Sequence, residues 1–341
     1  MKLGLVVGYW VSAPPSGVEA QIAVAEELGF DSMWTAEAYG SDALTPLAWW
    51  GSKTSTIKLG TSIVQMSART PAATAMAAMT LDHLCDGRFI LGLGVSGPQV
   101  VEGWYGVPYP KPLARTREYV DIVRSIVARE DRLTYDGEHY MLPYPGGTGL
   151  GKPLKSTLHP RRSEIPIYLA AEGPKNVALA AEIADGWLPF WFSPKADDFY
   201  REALADGFGR PGARHTADTF EVVNPMPLIV HPDPEVAADI VRPMLALYVG
   251  GMGSKDVNFH YEVLARIGWR EVCERVQELY LEGRKDEAQR AIPLEMVEDV
   301  ALVGPPEKIA RELPRWKETL VTTMAIGGPP DLLRAAADLV F

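Results

Sequence analysis

Apolar residues in the first third of the chain follow two alternating rhythms. Leu3 to Tyr9 is a continuous apolar run, as a strand covered on both faces requires. Val18 to Leu28 instead places Ile22, Ala23, Ala25 and Leu28 on one helical stripe, with Glu26 and Glu27 turned outward. Gly29 stands where such a helix should stop. The alternation continues with a strand over Phe30 to Thr35, a helix over Ala43 to Lys53 and a strand over Ile57 to Val64. A long helix then opens at Pro71, whose missing N–H costs nothing in a first turn. Arg88 to Leu93 is the fourth strand. Pro166 to Ala170, Gly186 to Phe190, Thr219 to Val230 and Val321 to Ile326 extend the series, with helices over Lys175 to Ala184 and Asp331 to Leu339. Eight strands separated by helices predict parallel βαβ units closed into an α/β (β/α)8 TIM barrel.

Two insertions interrupt this rhythm, after the fourth and seventh strands. Leu133 to Leu142 alternates around Asp136-Gly137, which predicts a hairpin with a two-residue turn, and a Pro- and Gly-rich loop follows over Pro143 to Pro153. The second insertion, about 245–297, reads as consecutive helices. No shift in composition marks a further boundary, so residues 1–341 are expected to form a single domain.

Composition narrows the partners. The chain is 47% hydrophobic and 23% charged, ordinary for a globular protein with a sizeable core, and carries a formal charge of -11. That acidic balance disfavours nucleic acid and anionic membrane surfaces. The two cysteines, Cys85 and Cys273, are far apart and frame neither a disulfide scaffold nor a zinc site. The apolar run Pro71 to Leu81 is too short to span a bilayer. The expectation is a cytoplasmic protein with reduced thiols.

Two familiar motifs are set aside. Gly92, Gly94 and Gly97 spell G-x-G-x-x-G, but at the fourth strand, with Pro98 next and Gly103, Gly106, Pro108 and Pro110 interrupting any long helix. Gly94 to Gly97 resembles a serine nucleophile elbow, but Pro98 replaces its second glycine. The six histidines show no metal-ligand spacing. More informative are the strand ends, where barrel enzymes carry their chemistry. They present Tyr9 and Trp10, Glu37 and Tyr39, Ser62 to Gln65, Val95 to Gly97, Ala170 to Pro174, and Trp191. This aromatic, weakly charged mouth suits a flat conjugated ring and an apolar substrate. Glu37 is the candidate acid/base, with Tyr39 beside it, because a carboxylate withdrawn from water at a strand end has a raised pKa.

Several stretches occur in an order that resembles a known family. They are Leu59-Gly60-Thr61-Ser62, then Asp86-Gly87-Arg88-Phe89 leading to Leu91-Gly92-Leu93-Gly94, then Ser96 to Trp104. Ala170-Ala171-Glu172-Gly173-Pro174, Ala184-Asp185-Gly186-Trp187, Gly250 to Gly253 and Leu302 to Pro306 complete the series. Together they resemble the luciferase-like monooxygenase superfamily and, within it, the enzymes that use coenzyme F420. The resemblance implies a cofactor ring at the C-terminal mouth, leaning on a third-strand bulge with a non-prolyl cis peptide at Ser62–Ile63, next to Val64. It also implies a phosphate near Val95, Ser96, Gly97, Ala170, Ala171, Glu172, Gly173 and Pro174, with Arg69 and Lys175 as nearby positive charge. Alcohol-oxidising members carry a His after the second-strand acid. Here Ala38 follows Glu37, so reduction of an activated double bond, imine or ketone is at least as well supported.

The expected function is therefore hydride transfer between F420 and a small, largely apolar substrate, with Trp10, Trp104 and Trp191 shaping the pocket. An FMN-dependent monooxygenase and a cofactor-free binding barrel are the alternatives. The family implies a homodimer, for which the Ala-rich helix Ala72 to Leu84 is a candidate surface.

Overall fold

The computed structural model describes residues 1–8, 10–253 and 258–341. Among these, eight parallel strands close into a barrel: β1 (Lys2–Val6), β2 (Ser32–Thr35), β3 (Lys58–Thr61), β4 (Phe89–Gly94), β5 (Ile167–Ala170), β6 (Gly186–Leu188), β7 (Glu221–Pro225) and β8 (Thr323–Ile326). Each pairs with its neighbour in sequence, and β8 returns to β1 through Lys2↔Thr323 to Leu5↔Ile326. Helices follow the strands on the outside, where Leu3, Leu5, Met33, Leu59, Leu91 and Met324 meet them in the main apolar core. The first helix runs Val18–Glu27 and stops at Gly29, whose φ of 73° no β-branched residue would accept cheaply. Tyr9, expected at the end of the first strand, lies outside the described residues.

The inside of the cylinder has its own core: Trp34, Ile90, Tyr168, Leu188, Val223 and Ala325. Trp34 from β2 and Tyr168 from β5 stack across it with centroids 5.9 Å apart. Glycines make room for these rings. A Cβ at Gly60 would sit 2.3 Å from the Trp34 ring, and one at Gly186 would sit 2.7 Å from Tyr168. Gly92 has a harder constraint, since its Cβ would lie 1.7 Å from the Thr61 carbonyl oxygen. The glycine run of β4 thus serves close strand packing. This accounts for the misplaced dinucleotide-like motif at Gly92 and Gly94.

Both insertions follow the expected strands, with two corrections. Tyr135–Asp136 pairs antiparallel with Met141–Leu142, and the Gly137 N–H still donates to the Tyr140 carbonyl at 2.9 Å, so the two-residue turn falls at Glu138-His139 rather than at Asp136-Gly137. The reason is Glu118, whose carboxylate accepts backbone N–H groups from Glu138, His139 and Tyr140 at 2.8–3.0 Å and holds the displaced turn. The helical insertion begins earlier than residue 245, with helix Pro234–Gly250. A parallel pair, Leu228–Val230 with Leu302–Gly304, frames its exit and return. Its helices pack around Val241, Leu245, Leu264, Cys273 and Val276.

Gly92→Ala tests the β3–β4 packing. It is expected to lower unfolding free energy by about 3 kcal/mol or more, because backbone and not a flexible side chain must give way. Gly103→Ala, with open space around it, is the control and is expected to change little. Urea denaturation of both variants measures this.

Candidate active site at the barrel mouth

The most irregular backbone at the C-terminal end of the barrel is at β3. Leu59 and Gly60 pair with Phe89 and Ile90, an offset of 30, whereas Val64 and Gln65 pair with Leu93 and Gly94, an offset of 29. One extra residue is therefore bulged out of the third strand between them. Thr61 locks the start of the bulge, because its hydroxyl donates to the Gly92 carbonyl and accepts the Gly92 N–H, both at 2.9 Å. The Ser62–Ile63 peptide that follows is cis. Ile63 then folds over Gly94, where a Cβ would come within 2.8 Å of its side chain. Ser62 and Ile63 remain half-exposed at the mouth, while Val64 is buried.

Glu37 stands beside this bulge, two residues beyond β2. Gln65, 1% exposed, ties the two together by donating its Nε2 to the Ala38 carbonyl at 2.7 Å. Burial pushes the Glu37 carboxyl above the ordinary carboxylate range. The Ala43 N–H, the Tyr105 hydroxyl and the Arg69 charge oppose that rise, and Asp42 adds to it. Tyr105 donates to Glu37 Oε1 at 3.3 Å, and its own pKa is pushed up to about 12, first by burial and then by the carboxylate. The phenol against Glu37 is thus Tyr105 rather than the expected Tyr39, which is 56% exposed. Tyr39 follows the strand closely but turns outward with the loop, and Tyr105 arrives from the far side of the long β4 connection. Adjacency in sequence could not reveal it.

β4 leaves the barrel through Ser96, whose φ of 58° is uncommon for a residue with a side chain. Tyr109 donates to the Ser96 carbonyl at 3.0 Å and pins the turn. Val95, Tyr109, Met66, Ser67 and Arg115 line a small cleft here. Arg115 donates to Ser67 Oγ at 3.3 Å and to the Tyr140 hydroxyl at 3.0 Å. The pattern along the chain gave no sign of Arg115 or Tyr109.

The opposite wall is built by β5 and β6. Ala170 is half-buried and Ala171 buried, with the Ala171 carbonyl accepting the Trp187 indole N–H at 2.8 Å. Glu172 follows, its Oε1 2.6 Å from His260 Nδ1 on the insertion helix Phe259–Leu264. Gly173 and Pro174 open the helix Pro174–Ile183. Trp191 is a correction. It has a φ of 54°, and at 2% exposure it is packed into the insertion core against Phe190 and Tyr248 and offers no open surface to a substrate. Phe190 holds the position nearer the mouth, its ring 5.5 Å from His260. Trp10 packs against Trp50 at 5.9 Å, and Trp104 sits 65% exposed on the rim. Among the described residues, no three His, Cys, Asp or Glu side chains cluster to hold a metal. No helix among them is long and apolar enough to cross a membrane.

Comparison with known proteins agrees with this architecture. The luciferase-like monooxygenase family model matches residues 5–323. A Mycobacterium tuberculosis protein named as a coenzyme F420-dependent oxidoreductase is 54% identical, covering 100% of this chain and 99% of that protein. The 5,10-methylenetetrahydromethanopterin reductase of Archaeoglobus fulgidus is 30% identical over 92% of this chain and 89% of its own. Among solved structures, the coenzyme F420-dependent tetrahydromethanopterin reductase of Methanopyrus kandleri superposes with a TM-score of 0.82 at 22% identity, covering 99% of this chain and 98% of that one. The bulged third strand, the glycine-packed barrel and a match over nearly the whole length make this chain a member of the luciferase-like monooxygenase family.

Proposed function

We propose that the chain is a coenzyme F420-dependent oxidoreductase transferring a hydride between the deazaflavin and a small, largely apolar organic substrate. The observation that carries this reading is the β3 bulge, which turns main-chain atoms of Ser62, Ile63 and Val64 toward an open mouth with few charges. Full-length likeness to a protein named as F420-dependent supports the choice of cofactor. The residues present fit such a group. Ser96 and Gly97, and Gly173 and Pro174 with the helix they open, offer backbone at two strand exits for an anionic phosphate. Arg69, whose charge also reaches Glu37 and whose Nε is buried without a partner, and the exposed Lys175 supply positive charge near these exits for an acidic tail. Ala170, Ala171 and Glu172 complete the wall.

When bound, the deazaflavin supplies the two-electron hydride chemistry, and the protein supplies orientation and protons. Glu37 offers a proton-exchanging carboxyl at the substrate end, since its half-buried position makes it easier to protonate than a solvated one. Tyr105 donates to its Oε1 and helps to orient it. Tyr39, on the rim, guides entry. Trp10 and Trp104 give the apolar sides of the opening. The loops over β5 and β6 exclude water behind the substrate.

Residues 1–341 are read as one domain, because Ile267 packs against both the barrel core and the insertion core. Trp49, Met76 and Leu84, all more than half exposed on helices Leu44–Gly51 and Pro71–Leu84, form the surface for a second copy. A Trp49→Glu/Met76→Glu double variant is expected to sediment as a monomer where the parent sediments as a dimer.

Two measurements check the chemistry. Titration of purified protein with F420 is expected to quench its fluorescence in the micromolar range, with FMN binding far more weakly. The reverse preference would transfer the reading to a monooxygenase. The second concerns Glu37. A carboxyl whose folded pKa is raised binds its proton more tightly in the folded state, so it costs nothing below its unfolded pKa and destabilises the fold as pH rises through the folded value. Glu37→Gln is therefore expected to match the parent in melting temperature at acidic pH and exceed it at neutral pH. A constant difference across the range would contradict the assignment.

A further inference from the structure

We infer that His260 is a second acid–base residue of this mouth, acting through Nε2, and that Glu172 positions it. This rests on the oxidoreductase reading above and adds a proton source on the wall facing Glu37. β2, which leads to Glu37, is three strands from β5, which leads to Glu172, and four from β6, which leads to Phe190 against the His260 ring, so the two groups belong to opposite sides of the barrel. His260 comes from the insertion and docks over the exits of β5 and β6. Its ring is fixed on two sides by Phe190, with centroids 5.5 Å apart, and Tyr248, at 4.7 Å, both nearly edge to face. Its Nδ1 lies 2.6 Å from Glu172 Oε1. The contact is short but poorly aligned, and Nδ1 reaches a full hydrogen bond by a small rotation of the ring. The other carboxylate oxygen, Oε2, is buried without a partner. Among the described residues, the imidazole is the one ion-pair partner of this carboxylate.

The arrangement is that of a carboxylate-oriented histidine. The acid fixes the ring and its tautomer, with the Nδ1 proton toward Oε1, which leaves the far nitrogen, Nε2, free to exchange protons with a substrate. Nε2 has no hydrogen-bond partner among the described residues, is absent from their buried unpartnered atoms, and the imidazole keeps about a quarter of its surface open at 23% exposure. In the reductive direction, a bound reduced deazaflavin would supply the hydride to the substrate carbon and be the group oxidised. The Nε2–H bond breaks, and an O–H or N–H bond forms on the adjoining heteroatom. The electron pair of the broken double bond receives that proton, Glu172 keeps its charge throughout, and the imidazole regains its proton from solvent. The substrate class this selects is a ketone, imine or conjugated carbonyl, whose heteroatom needs a proton as its carbon is reduced.

The test is acylation of the full-length protein by diethyl pyrocarbonate, which modifies accessible neutral imidazole nitrogens, with each histidine followed by mass spectrometry. His260 is expected to react readily, to react several-fold more slowly in Glu172→Ala, and to recover in part in Glu172→Gln, which restores an acceptor for Nδ1. Cyclohex-2-en-1-one added with F420 is expected to protect His260. His260→Gln is expected to bind F420 as the parent does. A resistant His260, a rate indifferent to Glu172→Ala, no protection by the enone, or F420 binding lost in His260→Gln would each overturn the proposal. Failure of the parent itself to bind F420, with the acylation pattern intact, would instead sink the cofactor reading and the redox role of His260 with it.

Discussion

The contact on which this barrel turns is the reciprocal pair between Thr61 and Gly92. One hydroxyl takes the N–H of Gly92 and returns a hydrogen to its carbonyl, while the Thr61 carbonyl occupies the space where any side chain at residue 92 would sit. The two strands are thereby clamped one step before the third strand gains its extra residue. A bulge needs a partner strand that stays straight while its neighbour deviates, and a hydrogen-bonded glycine gives that. Below the clamp, Trp34 and Tyr168 fill the cylinder over Gly60 and Gly186, so the interior is solid. Above it the space belongs to loops. The same packing that closes the lower barrel therefore defines where a ligand can enter.

The loops above are not equivalent. On the β2 side, a carboxyl partly withdrawn from water accepts from a phenol of the β4 connection, and a glutamine from the bulge holds the Ala38 carbonyl next to it. On the β5–β6 side, a carboxylate is matched by an imidazole from the insertion. Small carbonyl-like molecules are the proposed occupants of this mouth, which sets a half-buried carboxyl on one side and a histidine docked on a carboxylate on the other. The insertion reaches the barrel's open end through that histidine.

How much of this was readable from the chain depends on whether a feature is local. Strand and helix alternation is written in nearest-neighbour periodicity, and all eight strands could be located from runs such as Leu3 to Val7 and Phe30 to Thr35. Gly29 and Pro71 punctuate helices for reasons internal to one turn of chain. Glu37 and the Ser62–Ile63 bulge sit at strand ends, so the barrel rule found their neighbourhood. The partners were not local. Tyr105 lies 68 residues from the acid it contacts, and His260 comes from an insertion whose own periodicity says only that it is helical. Trp191 looked like a pocket aromatic because it follows a strand, but it is packed into the neighbouring core. The hairpin was misjudged because Asp136-Gly137 satisfied a local turn rule that Glu118, distant in sequence, overrode.

Hydrogen–deuterium exchange of the full-length protein with and without F420 bears most directly on the central claim that this mouth holds a planar redox cofactor. The account predicts that protection gained on binding concentrates in the peptides containing 62–65, 95–97 and 170–174, at the bulge and the two strand exits that face it. Protection confined to the closed end of the barrel, or absent from the bulge while present elsewhere, would contradict it.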